Sequence, residues 1–164
     1  MDDEVEINDA CDYVIERLSE AKEHMNVLKL QKLMYYVQAW SLAFYGKPLF
    51  QGKFQAWVHG PVNRLLYDRF VATKSLYSDI TQEDVRSGFD GSKIPEDARS
   101  HIESVLEVYA GYTGSQLEDM THREEPWVKA RDGRSPTNRC ETEIEESLME
   151  SYYRDRVEKE DSDA

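Results

Sequence analysis

The chain has 164 residues, 40% hydrophobic and 32% charged, with a net charge of −13 at pH 7. That length suits one domain and is enough to bury a core, to which ten tyrosines, five phenylalanines and three tryptophans contribute. No run of about 18 apolar residues is present, and the opening Met1-Asp2-Asp3-Glu4 has neither a basic region nor a hydrophobic stretch. The expectation is a cytoplasmic protein with no membrane span or signal peptide. Cys11 and Cys140 stand far apart and form no Cys-x-x-Cys pair, which fits a reducing compartment and offers no metal or redox motif.

Residues 1–8 are acidic and read as a flexible arm, residues 9–156 as the domain, and residues 157–164 as a flexible acidic tail. Asn8 or Asp9 is placed to cap a first helix with the stripe Cys11, Val14, Ile15 and Leu18, ending near Ala21. Cys11 fits a small core residue, because Asp12 and Glu16 have the wrong sign to activate a thiol. From Leu28 to Tyr45 the positions Leu30, Leu33, Met34, Val37, Trp40 and Phe44 recur at three and four, a helical period. Tyr35, Tyr36, Ala39, Leu42, Ala43 and Tyr45 fill most of the other face, so this helix is expected to be central and surrounded by others. Asn26 suits its N-cap, and Gly46 before Lys47-Pro48 suits its end. Lys29 and Lys32 lie near the N-terminus, where the helix dipole disfavours cations, and are expected to look outward to something negative.

Phe54 to Val58 alternates as a short strand, with Trp57 on the opposite face from Phe54, Ala56 and Val58. Gly60-Pro61 reads as the N-cap and first position of a helix carrying Val62, Leu65, Leu66 and Phe70, with Arg69 at its edge. Leu76–Ile80 is the expected second strand, because a lone strand leaves its backbone unpaired. Pro95 opens a helix on which Ala98, Ile102, Val105, Leu106 and Tyr109 keep helical spacing as far as Gly111. Ser115 is the expected cap of a short helix with Leu117 and Met120, and Pro126-Trp127 begins another brief turn. From Glu141 to about Arg156 a last helix is expected to present Ile144, Leu148 and Tyr152 on one face.

Three segments stand out together: Leu28-Lys-Leu30-Gln31-Lys-Leu33 with Tyr35-Tyr36, then Trp57-Val-His59-Gly60-Pro61, then Thr121-His122 with Pro126-Trp127. In this order they resemble the SocA-like antitoxins, also called the Panacea domain and first met as phage-associated bacterial proteins. The resemblance spans about residues 10–153. It implies a mostly helical domain that neutralises a co-encoded toxin by binding it. In at least one member the toxin is handed to an ATP-dependent protease. Leu30, Gln31, Leu33, Tyr36, Gly60, Pro61, Thr121, His122, Pro126 and Trp127 are then motif residues of structural weight.

Charge is segregated. Between Ala21 and Lys74, eight Lys or Arg residues stand against Glu23 and Asp68, a local +6 that leaves −19 elsewhere. Two readings fit: a basic interaction surface, or a basic centre held by acidic helices around it. Under the first, Lys29, Lys32, Lys53, Trp57, His59 and Arg64 are the candidate partner-binding residues, with Trp57 as the aromatic anchor in a groove.

Catalytic signatures are missing from the sequence. There is no glycine-rich phosphate loop or His-Glu-x-x-His, and no nucleophile partner for His59 or His122 can be named from spacing. A histidine beside Gly-Pro or in a turn usually serves backbone carbonyls, and no zinc-ligand spacing is recognisable. The expected protein is mainly α, one compact helical domain around a buried helix with a small two-stranded β element. It is expected to have no enzymatic activity and no cofactor, and to act as an antitoxin by protein contact. A nucleic-acid-binding operon regulator is the alternative, weakened by the −13 charge and by the lack of a basic recognition helix.

Overall fold

The computed structural model describes residues 4–163, with side chains as far as Val157. Its centre is helix α2, Val27–Tyr45, of whose nineteen residues sixteen are buried. Asn26 starts it by accepting from the Lys29 N–H at 2.8 Å, and Gly46 ends it in the left-handed conformation, φ +70°. Burial lapses at part-exposed Trp40 and at the last turn, where Phe44, expected in the stripe, is 57% exposed. Around α2 pack α1 (Ile7–Glu20), α4 (Glu96–Tyr109), α5 (Gly114–His122) and α7 (Glu146–Asp163), with a hairpin at one side. The fold is mainly α, as expected.

The hairpin corrects two expectations. Strand β1 (Phe54–Trp57) pairs antiparallel with β2 (Gly60–Asn63) through the two-residue loop Val58-His59. Gly60-Pro61 therefore opens a strand, not a helix. Pro61 can sit there because its missing N–H falls on the outer side of the pair, where only its carbonyl is used. Gly60 is required by φ +99° and by crowding, since a Cβ would lie 2.5 Å from Lys32 Cε and 2.9 Å from Thr121 Oγ1. The helix α3 (Arg64–Phe70) begins three residues later, where the Asn63 side chain accepts from Leu66 N–H. Leu76–Ile80 is not β1's partner. It runs beside the entry to α2, its Leu76 and Ser78 carbonyls accepting from the otherwise free N–H groups of Leu28 and Val27.

On α4 the expected stripe is buried. The next helix, α5, is capped by Thr113 in a capping box with Gln116, not by Ser115. A short α6 (Glu125–Arg131) follows with Pro126 in its first turn. Helix α7 starts five residues later than expected because Thr142 and Ile144 bond along β1 at 2.8 and 2.7 Å. That delay shifts its buried face from Leu148 and Tyr152 to Met149 and Tyr153.

At the other end, Glu6 caps α1, and Val5 and Ile7 are buried, so the ordered body begins before the boundary expected at residue 9. Residues 1–3 of the expected arm lie outside the described residues. The expected tail carries on as α7 backbone to Asp163, and Ala164 lies outside the described residues. Buried Asp12 ties α1 to α3 and the loop beyond it, holding Arg69 at 2.5 Å and Arg86 at 2.6 Å.

Candidate functional site

The three motif segments meet at one place, where α2, the hairpin, α5 and α6 converge. Gln31 reaches from α2 to the outer edge of β2, accepting from the Asn63 N–H at 2.9 Å and donating to the Asn63 carbonyl at 3.1 Å. Lys32, one position on, donates to the Pro61 carbonyl at 2.9 Å. The two side chains do for β2 what a neighbouring strand would do. Gln38, two turns after Gln31, caps the Leu49–Phe50 backbone in the same way. Leu30 and Leu33 are core, and the Tyr36 hydroxyl donates to buried Glu124, which also accepts from Tyr153 and Arg156.

Lys32 is 0% exposed, and burial brings its amine down to about 7, only partly opposed by Glu118. Beyond it, the half-exposed His59 Nδ1 lies 3.0 Å from Glu118, and Thr121 is buried with its hydroxyl donating to the Glu118 carbonyl. His122 stacks on Trp127 with centroids 4.1 Å apart, and Trp127 Nε1 donates to the Trp57 carbonyl at 2.9 Å. Burial lowers the His122 pKa, and its Nε2 has no hydrogen-bond partner. This junction locks hairpin to helices. Among the described residues, no three His, Cys, Asp or Glu side chains converge where a metal ion could sit.

The predicted basic surface is not there. Lys29 is 4% exposed and donates to the carbonyls of His24 and Ala110, the latter ending α4, where the dipole favours a cation. Neither Lys29 nor Lys32 looks outward. Each spends its ammonium on carbonyls that no backbone N–H reaches. Lys53 pairs with Glu146 at 2.5 Å, Lys74 with Asp84, and Arg69 with Asp12. The segregated charge is thus mostly consumed within the fold, in line with the second of the two readings.

Trp57, His59 and Arg64 remain at the surface and line a groove of about 520 Å³, and exposed Lys53 lies outside it. Trp57 faces away from Phe54 and Ala56, as its position in the strand requires, and meets Tyr67 edge to face at 5.0 Å. Arg64 lies over both rings, 5.7 and 5.3 Å from their centroids. Val27, Val58, Val62, Phe70, Val71 and Leu76 make the apolar wall, and Gln31, Lys74, Ser75, Arg139, Cys140 and Glu141 complete it. Sequence reasoning missed Tyr67, Val71 and Arg139, since nothing in their spacing announces that α3 and the segment before α7 border one cleft. A second groove of about 740 Å³ runs between Trp40, Phe44, Tyr45, Val108, Tyr112 and Arg156.

Residues 30–128 match the family described as "Antitoxin SocA-like, Panacea domain". The chain belongs to that family. The matched span contains the junction of α2, hairpin, α5 and α6, so the Panacea domain's motif residues here are largely those that hold the hairpin in place. The chain is also 34% identical over 106 residues to a protein named Antitoxin SocA from Caulobacter vibrioides (strain NA1000 / CB15N), a match covering 61% of this chain and 56% of that protein. This Panacea chain thus spans a little over half the length of the curated relative. No solved structure gives a significant match. No helix among the described residues is long and apolar enough to cross a membrane.

Proposed function

We propose that this Panacea domain is a cytoplasmic antitoxin that neutralises a co-encoded toxin by direct protein contact, without chemistry of its own. The observation that carries the reading is the 34% identity over 106 residues to Antitoxin SocA. Two features support a binding role. The histidines of the motifs are tied into the junction, His59 to Glu118 and His122 to Trp127. Two apolar grooves stay open on the surface. An operator-binding role draws no support from α2, whose lysines are buried and cannot meet phosphate. Delivery of the bound toxin to an ATP-dependent protease extends the same proposal.

The test is co-expression with the neighbouring gene. Protection of cells from that gene's product, together with a complex purified without nucleic acid, is the expected result. Absence of both, or operator binding by the protein alone, refutes it. Delivery predicts that the toxin's half-life shortens when this protein and the protease are both present; an unchanged half-life leaves neutralisation by blocking.

A further inference from the structure

The groove beside Trp57 has a feature that its neighbours lack. Arg64 and Arg139 come from different segments, yet both approach the same Glu141 oxygen, at 3.8 and 2.6 Å. Arg139 chiefly, and Arg64 more weakly, hold the Glu141 carboxyl below its ordinary range. Arg64 is underused. Its other carboxylate, Asp68, lies at 3.6 Å, so neither contact is short enough for a hydrogen bond, and the side chain is about half exposed. Next to this clamp lies the apolar wall with half-exposed Val71.

We infer that the groove seats an acidic segment of the protein partner, with one carboxylate between Arg64 and Arg139 and an adjacent apolar side chain against Val71. The inference rests on the antitoxin reading and names the chemistry that the toxin presents. Glu141 now occupies the place of that carboxylate, as an internal competitor. Charge complementarity selects the occupant: in a chain of net charge −13, the groove sets Arg64 and Arg139 against its one lining carboxylate, Glu141, while its third cation, Lys74, is already paired with Asp84. A nucleotide fits the site poorly. Arg64 already covers the Trp57 and Tyr67 rings on which a base would stack, and the only amide in the wall, Gln31, is committed to Asn63. The overall negative charge also opposes a polyanion, whereas a short segment brings few charges and apolar contacts.

The experiment measures binding of the purified neighbouring-gene product to the full chain by calorimetry. Arg64→Glu and Val71→Asp are each expected to weaken binding tenfold or more, and the Arg64 effect shrinks as salt rises. Glu141→Gln is expected to tighten binding two- to fivefold, an outcome that a merely structural role for Glu141 would not produce. Thermal unfolding checks each variant, and Arg64→Gln replaces Arg64→Glu if the reversal unfolds the protein. Wild-type protein that does not bind refutes the antitoxin reading and this inference together. Wild-type binding that Arg64→Glu and Val71→Asp leave unchanged refutes the groove alone. Displacement of the partner by single-stranded RNA, lost in Arg64→Glu, makes the groove a nucleic-acid site and also refutes it.

Discussion

The lysines of α2 and Arg64 beside Trp57 belong to the same basic stretch of sequence and meet opposite fates. Lys29 and Lys32 are buried and serve carbonyls, while Arg64 is half-exposed, lies over two aromatic rings and has no short partner. A cluster of like charges in sequence therefore says little about the surface. What decides is whether the fold leaves backbone acceptors that only a long cationic side chain can reach. Lysine suits that task, having a flexible apolar stem and three donors at its tip.

The contrast is tested most severely at the junction. Leu33→Ala, in the middle of α2, should cost roughly 2–5 kcal/mol by leaving a cavity, and urea unfolding measures it. Gly60→Ala should cost about 2–4 kcal/mol, because it combines a positive φ with a Cβ driven into Lys32 and Thr121. Lys32→Ala should cost about 2–4 kcal/mol, through a cavity and an uncapped Pro61 carbonyl. A loss below about 0.5 kcal/mol would place Lys32 at the surface and erase the difference between the two sets of cations.

A pH series sharpens the comparison. The Lys32 amine titrates at about 7 when folded and at its ordinary 10.5 when unfolded. Between those values the unfolded chain holds the extra proton, so this residue makes stability rise with pH, by up to about 1.4 kcal/mol per unit. Below pH 7 its penalty is complete and flat. Lys32→Met should lack this rise, so the stability of wild type relative to the variant should grow between pH 7 and 9. Parallel curves would contradict the assignment. The smallest effect belongs to Arg64→Gln, expected within about 0.5 kcal/mol of wild type in stability because exposed ion pairs contribute little.

Where local pattern decides structure, the sequence was readable. The period of α2 and α4 and the caps at Asn26 and Gly46 all stand as expected. The Gly60-Pro61 pair misleads because proline's fixed φ and missing N–H suit a strand's outer edge as well as a helix's first turn. Which one applies depends on Gln31 and Lys32, thirty residues earlier. A signal for this was present: Gln31 and Gln38 are polar, seven apart and on one face of a mostly apolar helix. Buried amides so placed need backbone partners, although the sequence does not name which ones. The register of α7 was unreadable for a similar reason, as Thr142 and Ile144 are drawn out of the helix by β1.

The closing of both hairpin edges restricts how anything can bind there. Gln31 and Lys32 occupy one edge of the two-stranded sheet, and Thr142, Ile144 and Arg131, which donates to the Ala56 carbonyl, occupy the other. Neither edge offers a row of unpaired amides, so a partner cannot join by adding a strand. Recognition must run through side chains, and two copies of this protein cannot zip edge to edge at the hairpin.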